Sequence, residues 1–232
     1  MSSYGSTPAS SGSSGSSEAG DRGPASDRVR IRRKPKRGHY DAATINAIID
    51  DAIVGYVGWI RDGQPIVTPV NIWREGDRLL WHASVGSGLA MQLDGKPVCV
   101  TVAHVDALVL SRAATNHSVD YRSVMALGTC HVMRDEAEMD AAFDGLVDSL
   151  FPGRAATLRP TTAVERRATS VMWIPLDEAS AKVRDVGLIE DEGDETWPAW
   201  GGVVPVRSVR GEPAPDQHVP ADMPAPEIRL PR

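Results

Sequence analysis

Cysteine is scarce: Cys99 and Cys130 are the only two in 232 residues. They cannot build a disulfide scaffold and form no Cys-x-x-Cys pair, so a reducing, cytoplasmic compartment is expected. Long apolar runs are missing too; no stretch approaches the ~18 residues of a membrane helix. The opening residues are Ser and Gly where a signal peptide needs an apolar run, which argues against secretion. No Walker loop and no Gly-x-Ser-x-Gly elbow occurs. His82, His104, His117 and His131 show no metal-ligand spacing, so no metal site is expected. Collagen, coiled coil, membrane protein and secreted knot are excluded.

What remains describes a globular chain of one domain with unusual ends. It is 41% hydrophobic and 24% charged, with 21 Gly and 17 Pro. Thirteen of residues 1–20 are Ser or Gly, and residues 1–27 read as a disordered tail. Seven prolines fall between Pro205 and Arg232, so residues 209–232 read as a second, Pro-rich tail. The folded unit is expected over 28–208, a common size for one domain. The net charge of −6 hides an arm, Arg28 to Arg37, that carries seven of the 25 basic residues. The rest of the chain is strongly acidic and repels nucleic acid. The arm itself reads as a solvated face or packed extension, or else as a tether to RNA or anionic lipid.

Periodicity marks two helices and a series of strands. Asp41 can cap a helix over 42–53 whose apolar face is Ile45, Ile48, Ile49, Ala52 and Ile53. A second helix starts at Asp135 and ends before Pro152-Gly153. Strands are expected at 55–60 and 66–73 around the hairpin signal Arg61-Asp62-Gly63, and at 78–82. Further strands are expected at 98–103, 105–111, 123–133, 170–176 and 199–206. Six or more mostly antiparallel strands with helices at the margins suggest a mainly β chain closed into a small barrel.

One segment stands out for chemistry. From Trp81 to Leu89 a strand gives way to small hydroxyl and glycine residues and then a short helix. Ser84 and Ser87 can add hydroxyls to free backbone N–H groups there, a setting that attracts phosphate. The plainer reading is that Ser87 merely caps the helix. Arg122 and Ser123, in Asp120-Tyr121-Arg122-Ser123-Val124, could clamp a phosphate, or Arg122 could pair with one of the 31 acids.

Taken together, these motifs resemble a known family. The order runs through Arg32–Asp41, Gly63-Gln64-Pro65 and Pro69, and Leu80-Trp81-His82-Ala83-Ser84. It continues through Asp106–Leu110, His117–Val124, Pro152-Gly153-Arg154, Ala179–Arg184 and Trp200–Pro205. It is similar to the flavin-nucleotide-binding proteins of the pyridoxamine 5′-phosphate oxidase superfamily, near the 5-nitroimidazole-resistance reductases. The resemblance implies an FMN-binding split β-barrel that forms a homodimer, with cofactor clefts at the interface. It places Ser84 and Ser87 on the FMN phosphate, helped by Arg122 and Ser123. It lays the backbone of Val67, Thr68, Pro69 and Val70 along the isoalloxazine ring. His82 matches a histidine near the active cleft of the nitroimidazole branch and is the candidate catalytic residue. Trp200, Lys182 and Arg184 are further candidates for the cleft.

One departure stands out. Many relatives carry Ser-Arg where this chain has Ser87-Gly88, so a phosphate-neutralising cation is missing. Losing such a contact weakens binding by ~1.5–3 kcal/mol, about one to two decades in affinity. Arg122 or Lys182 could replace it. The expected function is therefore an FMN-dependent oxidoreductase passing electrons or hydride to a small molecule. The alternative is a non-enzymatic module that binds or senses a flavin.

Overall fold

The computed structural model describes residues 23–229, so most of the expected N-terminal tail lies outside the described residues. In chain order the strands are β1 (Gly38–His39), β2 (Val54–Arg61), β3 (Gln64–Glu75), β4 (Arg78–Ser84) and β5 (Pro97–Leu110). They continue as β6 (Ser118–Thr129), β7 (His131–Val132), β8 (Thr169–Pro175), β9 (Glu178–Arg184) and β10 (Gly202–Pro205). The helices are α1 (Ala42–Asp50), α2 (Gly88–Gln92), α3 (Glu136–Leu150) and α4 (Ala163–Ala168).

Each element follows from local chemistry. Asp41 accepts a hydrogen bond from the Thr44 N–H at 2.8 Å and starts α1; Asp135 does the same for Glu138 at the head of α3. Asp62 and Gly63 both hold positive φ, 51° and 76°, the backbone of a two-residue hairpin loop. That loop sets the β2–β3 register from Arg61↔Gln64 to Val54↔Asn71. The two runs expected at 98–103 and 105–111 are one strand, β5, kinked by a register shift between Val105 and Ala107.

The strands form one antiparallel sheet in the order β1-β9-β6-β5-β2-β3-β4-β8-β7, with β10 added beside the second half of β5. β3 pairs with β2 along its first part and with β4 along its last, so the sheet folds over along that strand. The two halves enclose a core that includes Val57, Trp59, Trp81, Val100, Val124 and Ile174, closed at one side by Ile45, Ile48 and Ile49 of α1. Opposite the fold, β6 and β8 touch without pairing: a Cβ on Gly128 would stand 3.0 Å from the Ile174 Cβ. The barrel is therefore split rather than closed by hydrogen bonds. A second cluster lies outside it, where Met139 and Ala142 of α3 pack on Trp73, Leu80 and Val171.

The basic arm packs on the barrel. Val29 is buried, Arg28 pairs with Glu178, and Arg30 and Arg32 pair with Asp27. At the other end the Arg229 N–H donates to the Leu150 carbonyl at 2.8 Å, bringing the final segment back to α3. No helix among the described residues is long and apolar enough to cross a membrane.

Candidate flavin site

The β2–β3 hairpin alternates strictly. Val57 and Trp59 point into the core, while Tyr56 and Ile60 point outward with Val67, which pairs across from Gly58. An open groove of about 890 Å³ runs along this region, lined by Trp59, Ile60, Ile66, Val67, Cys99 and His131 among others. Its walls are mostly apolar and its rim carries Arg28, Asp177 and Glu178. Such a slot suits a flat, largely apolar ring with polar edges.

The turn from Ser84 to Gly88 lies beside the Trp59 ring. Ser84, Val85 and Gly86 are exposed, and the Ser87 hydroxyl oxygen accepts the Ala90 N–H at 3.2 Å, capping α2. A Cβ on Gly88 would stand 3.5 Å from the Trp59 ring and 3.6 Å from a guanidinium nitrogen of Arg61. Trp59 itself is fixed by its indole N–H, which donates to the Thr68 hydroxyl at 3.2 Å. Trp59 thus lines the apolar groove as a residue and sets its ring against the hydroxyl-bearing turn.

The other expected residues fall elsewhere. Among the backbone segment 67–70, only Val67 lines the groove; Pro69 is exposed, and Thr68 and Val70 are half-buried. His82 sits on the α3 side of β4 with its ring edge-on to Trp73, centroids 6.3 Å apart, and does not line the groove. Burial lowers its pKa below 6.5, so it is a neutral imidazole at pH 7. Arg122 is held by two carboxylates: Nη1 reaches Asp51 at 2.8 Å and Nη2 reaches Asp106 at 3.0 Å. Hydrogen bonding to Asp106 is the main cause of its raised pKa. Together with His104 and Arg207 it lines a separate cavity of about 640 Å³. Ser123 donates to the Lys182 carbonyl. Arg184 is buried against Asp120, and Trp200 is exposed beside Gly202.

Sequence reasoning overlooked Arg61. Its only local signal is its spacing from Trp59, two residues away on a strand and hence on the same face. That the pair would meet Gly88 depends on sheet curvature, which no local pattern encodes.

The chain is thus a split barrel with an apolar groove beside a hydroxyl-bearing turn. The family model described as pyridoxamine 5′-phosphate oxidase matches residues 41–183, and the chain belongs to that family. A search of curated proteins finds no match. Among solved structures, the chain is similar to the flavocytochrome Anf3 from Azotobacter vinelandii. The two are 39% identical with TM-score 0.84, over 90% of this chain and 100% of that one. It is also similar to an FAD and heme binding protein from Mycobacterium smegmatis: 31% identity, TM-score 0.77, over 82% of this chain and 94% of that one. A candidate 5-nitroimidazole antibiotic resistance protein from Bacteroides thetaiotaomicron is 26% identical with TM-score 0.50, over 63% and 86%.

Proposed function

We propose that this chain is a dimeric flavin-dependent redox protein that passes electrons to a small acceptor. The observation that carries this reading is the double role of Trp59, which borders the apolar groove and the Ser84–Gly88 turn at once. A flavin nucleotide has the same two-part character: a broad ring and an anionic phosphate end. The groove along Val67 would take the ring, and Ser84 and Ser87 the phosphate. When bound, the flavin supplies the hydride or electron transfer, and the protein binds, orients and shields it. His82, on the α3 side of β4 and away from the groove, takes no part in holding the ring in this reading.

The open turn bears on which flavin is held. Ser84, Val85 and Gly86 face solvent, so a ligand can continue beyond its first phosphate. FAD is therefore expected to bind at least as tightly as FMN. The FAD in the name of the Mycobacterium smegmatis relative supports the same direction.

The dimer rests on the outer sheet face. Tyr56, Ile60 and Val67 are exposed by 46%, 64% and 66% on adjacent strands, and a second copy packed there would cover them and wall the groove. The test is reconstitution with FMN or FAD followed by gel filtration with light scattering. Retained flavin absorbance on a dimer, and bleaching of that absorbance by NADH or NADPH with reoxidation by a nitroaromatic or quinone, is the expected result. A colourless protein after filtration overturns the reading. Flavin that binds but is not reduced by either nucleotide favours the storage or sensing module instead.

A second reading adds heme, because the two more similar relatives are named for it and one imidazole fits a ligand's role. His117 Nδ1 lies 3.1 Å from the Ala113 carbonyl oxygen. A carbonyl only accepts, so Nδ1 carries the proton and the exposed Nε2 keeps its lone pair. Metal-bound imidazoles are commonly oriented in this way. Titration with hemin should give a shifted Soret band that His117→Ala removes and His131→Ala keeps. An unchanged band in His117→Ala rules out this ligand.

A further inference from the structure

The sequence leaves a charge missing. At the position where the resemblance expects a cation, Gly88 has no side chain at all, and one of the two other candidates, Arg122, is engaged. Arg122 is held by Asp51 and Asp106, while Lys182 lies on β9 in register with Ser123. The hydroxyl of Ser87 already caps α2. A phosphate beside this turn would find hydroxyls but no compensating charge from any of these residues.

Arg61 stands in the gap. It ends β2, fixed by the Asp62-Gly63 loop and the Arg61↔Gln64 pairing, and shares a strand face with Trp59. Its guanidinium carbon lies 5.6 Å from the centroid of the Trp59 ring. That contact steadies the group without neutralising it. Whereas Arg74, Arg78 and Arg184 are each paired with a carboxylate, Arg61 has no ion pair among the described residues. A guanidinium nitrogen sits 3.6 Å from where a Gly88 Cβ would begin, so its charge occupies the space a longer side chain at 88 would enter. Gly88 is not a steric necessity: the contacts its Cβ would make are ordinary van der Waals distances.

We propose that Arg61, delivered by the β2–β3 hairpin and held on the face of Trp59, is the residue that binds the flavin's phosphate in place of a cation at position 88. The proposal rests on the flavin reading above and names a binding residue that the family resemblance does not supply. The bare backbone at Gly88 leaves the guanidinium room to present its fork of N–H donors to phosphate oxygens.

Affinities for FAD, FMN and riboflavin separate the possibilities, because riboflavin has the ring and no phosphate. Arg61→Gln should weaken FAD and FMN about tenfold to a hundredfold and leave riboflavin within about twofold of wild type. Arg61→Lys should recover part of the loss. The double variant Arg61→Gln/Gly88→Arg should recover most of it by moving the charge to the head of α2. Phosphorylated flavins bound by Arg61→Gln as tightly as by wild type would overturn the proposal. So would an equal loss for riboflavin, which would make Arg61 a packing residue for Trp59. Wild type binding none of the three ligands would instead refute the flavin reading itself, and this proposal with it.

Discussion

Asp41 and His82 show how far single residues carry the argument. Asp41 lies at the N-cap of α1 and its carboxylate is held below its ordinary pKa, chiefly by the Thr44 N–H. Asp41→Ala should cost about 1 kcal/mol, read as a lowered urea midpoint with an unchanged slope. The pKa of His82 is lowered too, but by burial of the ring rather than by a hydrogen bond. Burial depresses its pKa in the folded chain, so between pH 6.5 and that lower value the unfolded chain binds a proton that the folded chain does not. Stability should fall on acidification through this window, and His82→Gln should flatten that part of the profile measured by urea unfolding at pH 7.5, 6 and 5. The thiols differ in kind. Cys130 is fully buried and its pKa is pushed up to about 12, first by burial and then by the charge of Asp94, so it should resist a disulfide reagent at pH 8 in the folded state. Cys99 lines the groove with a pKa raised by burial; it should react slowly, and more slowly still once flavin is bound.

At the scale of elements, the helices and the first hairpin were legible because their signals are local. Asp41 and Asp135 cap where the spacing of apolar residues begins, and Asp-Gly sets the turn between β2 and β3. β9 escaped notice because Glu-Ala-Ser-Ala-Lys-Val-Arg carries one β-branched residue, and its strand character comes from pairing with β6 and β1. What secures the end of β9 is Arg184, buried and paired with Asp120, with a second bond to the Gly187 carbonyl at 2.8 Å. Asp120→Leu should leave that guanidinium buried and unpaired at a cost of about 3–5 kcal/mol, while Asp120→Leu/Arg184→Met should recover most of it in thermal unfolding. If the single variant melts like wild type, the pair is not the anchor described.

For the whole molecule, the barrel and its family were readable from motifs in order, whereas the candidate site was only half readable. Ser84 and Ser87 announce a polar turn, but Trp59, Arg61 and Gly88 come together through the curvature of the sheet. The outer face of β2 and β3 makes a sharp expectation. Val67→Glu puts a charge at the centre of the exposed patch without touching the core, so it should yield a folded monomer in light scattering and lose flavin retention. A dimer that persists with Val67→Glu would move the subunit contact elsewhere.

β5 is bonded along one edge to β6 throughout, while its other edge is divided between β2 at Cys99–Thr101 and β10 at Ala107–Leu110. The two halves of this strand therefore have unequal neighbours: one lies mid-sheet, the other beside a four-residue strip with no further strand partner among the described residues. In heavy water, amide protons around Val100 should be among the last to exchange, and those of Val203 and Val204 among the first to go. The strand that spans the molecule would then loosen from one end only, peeling like a seam whose last stitches are short.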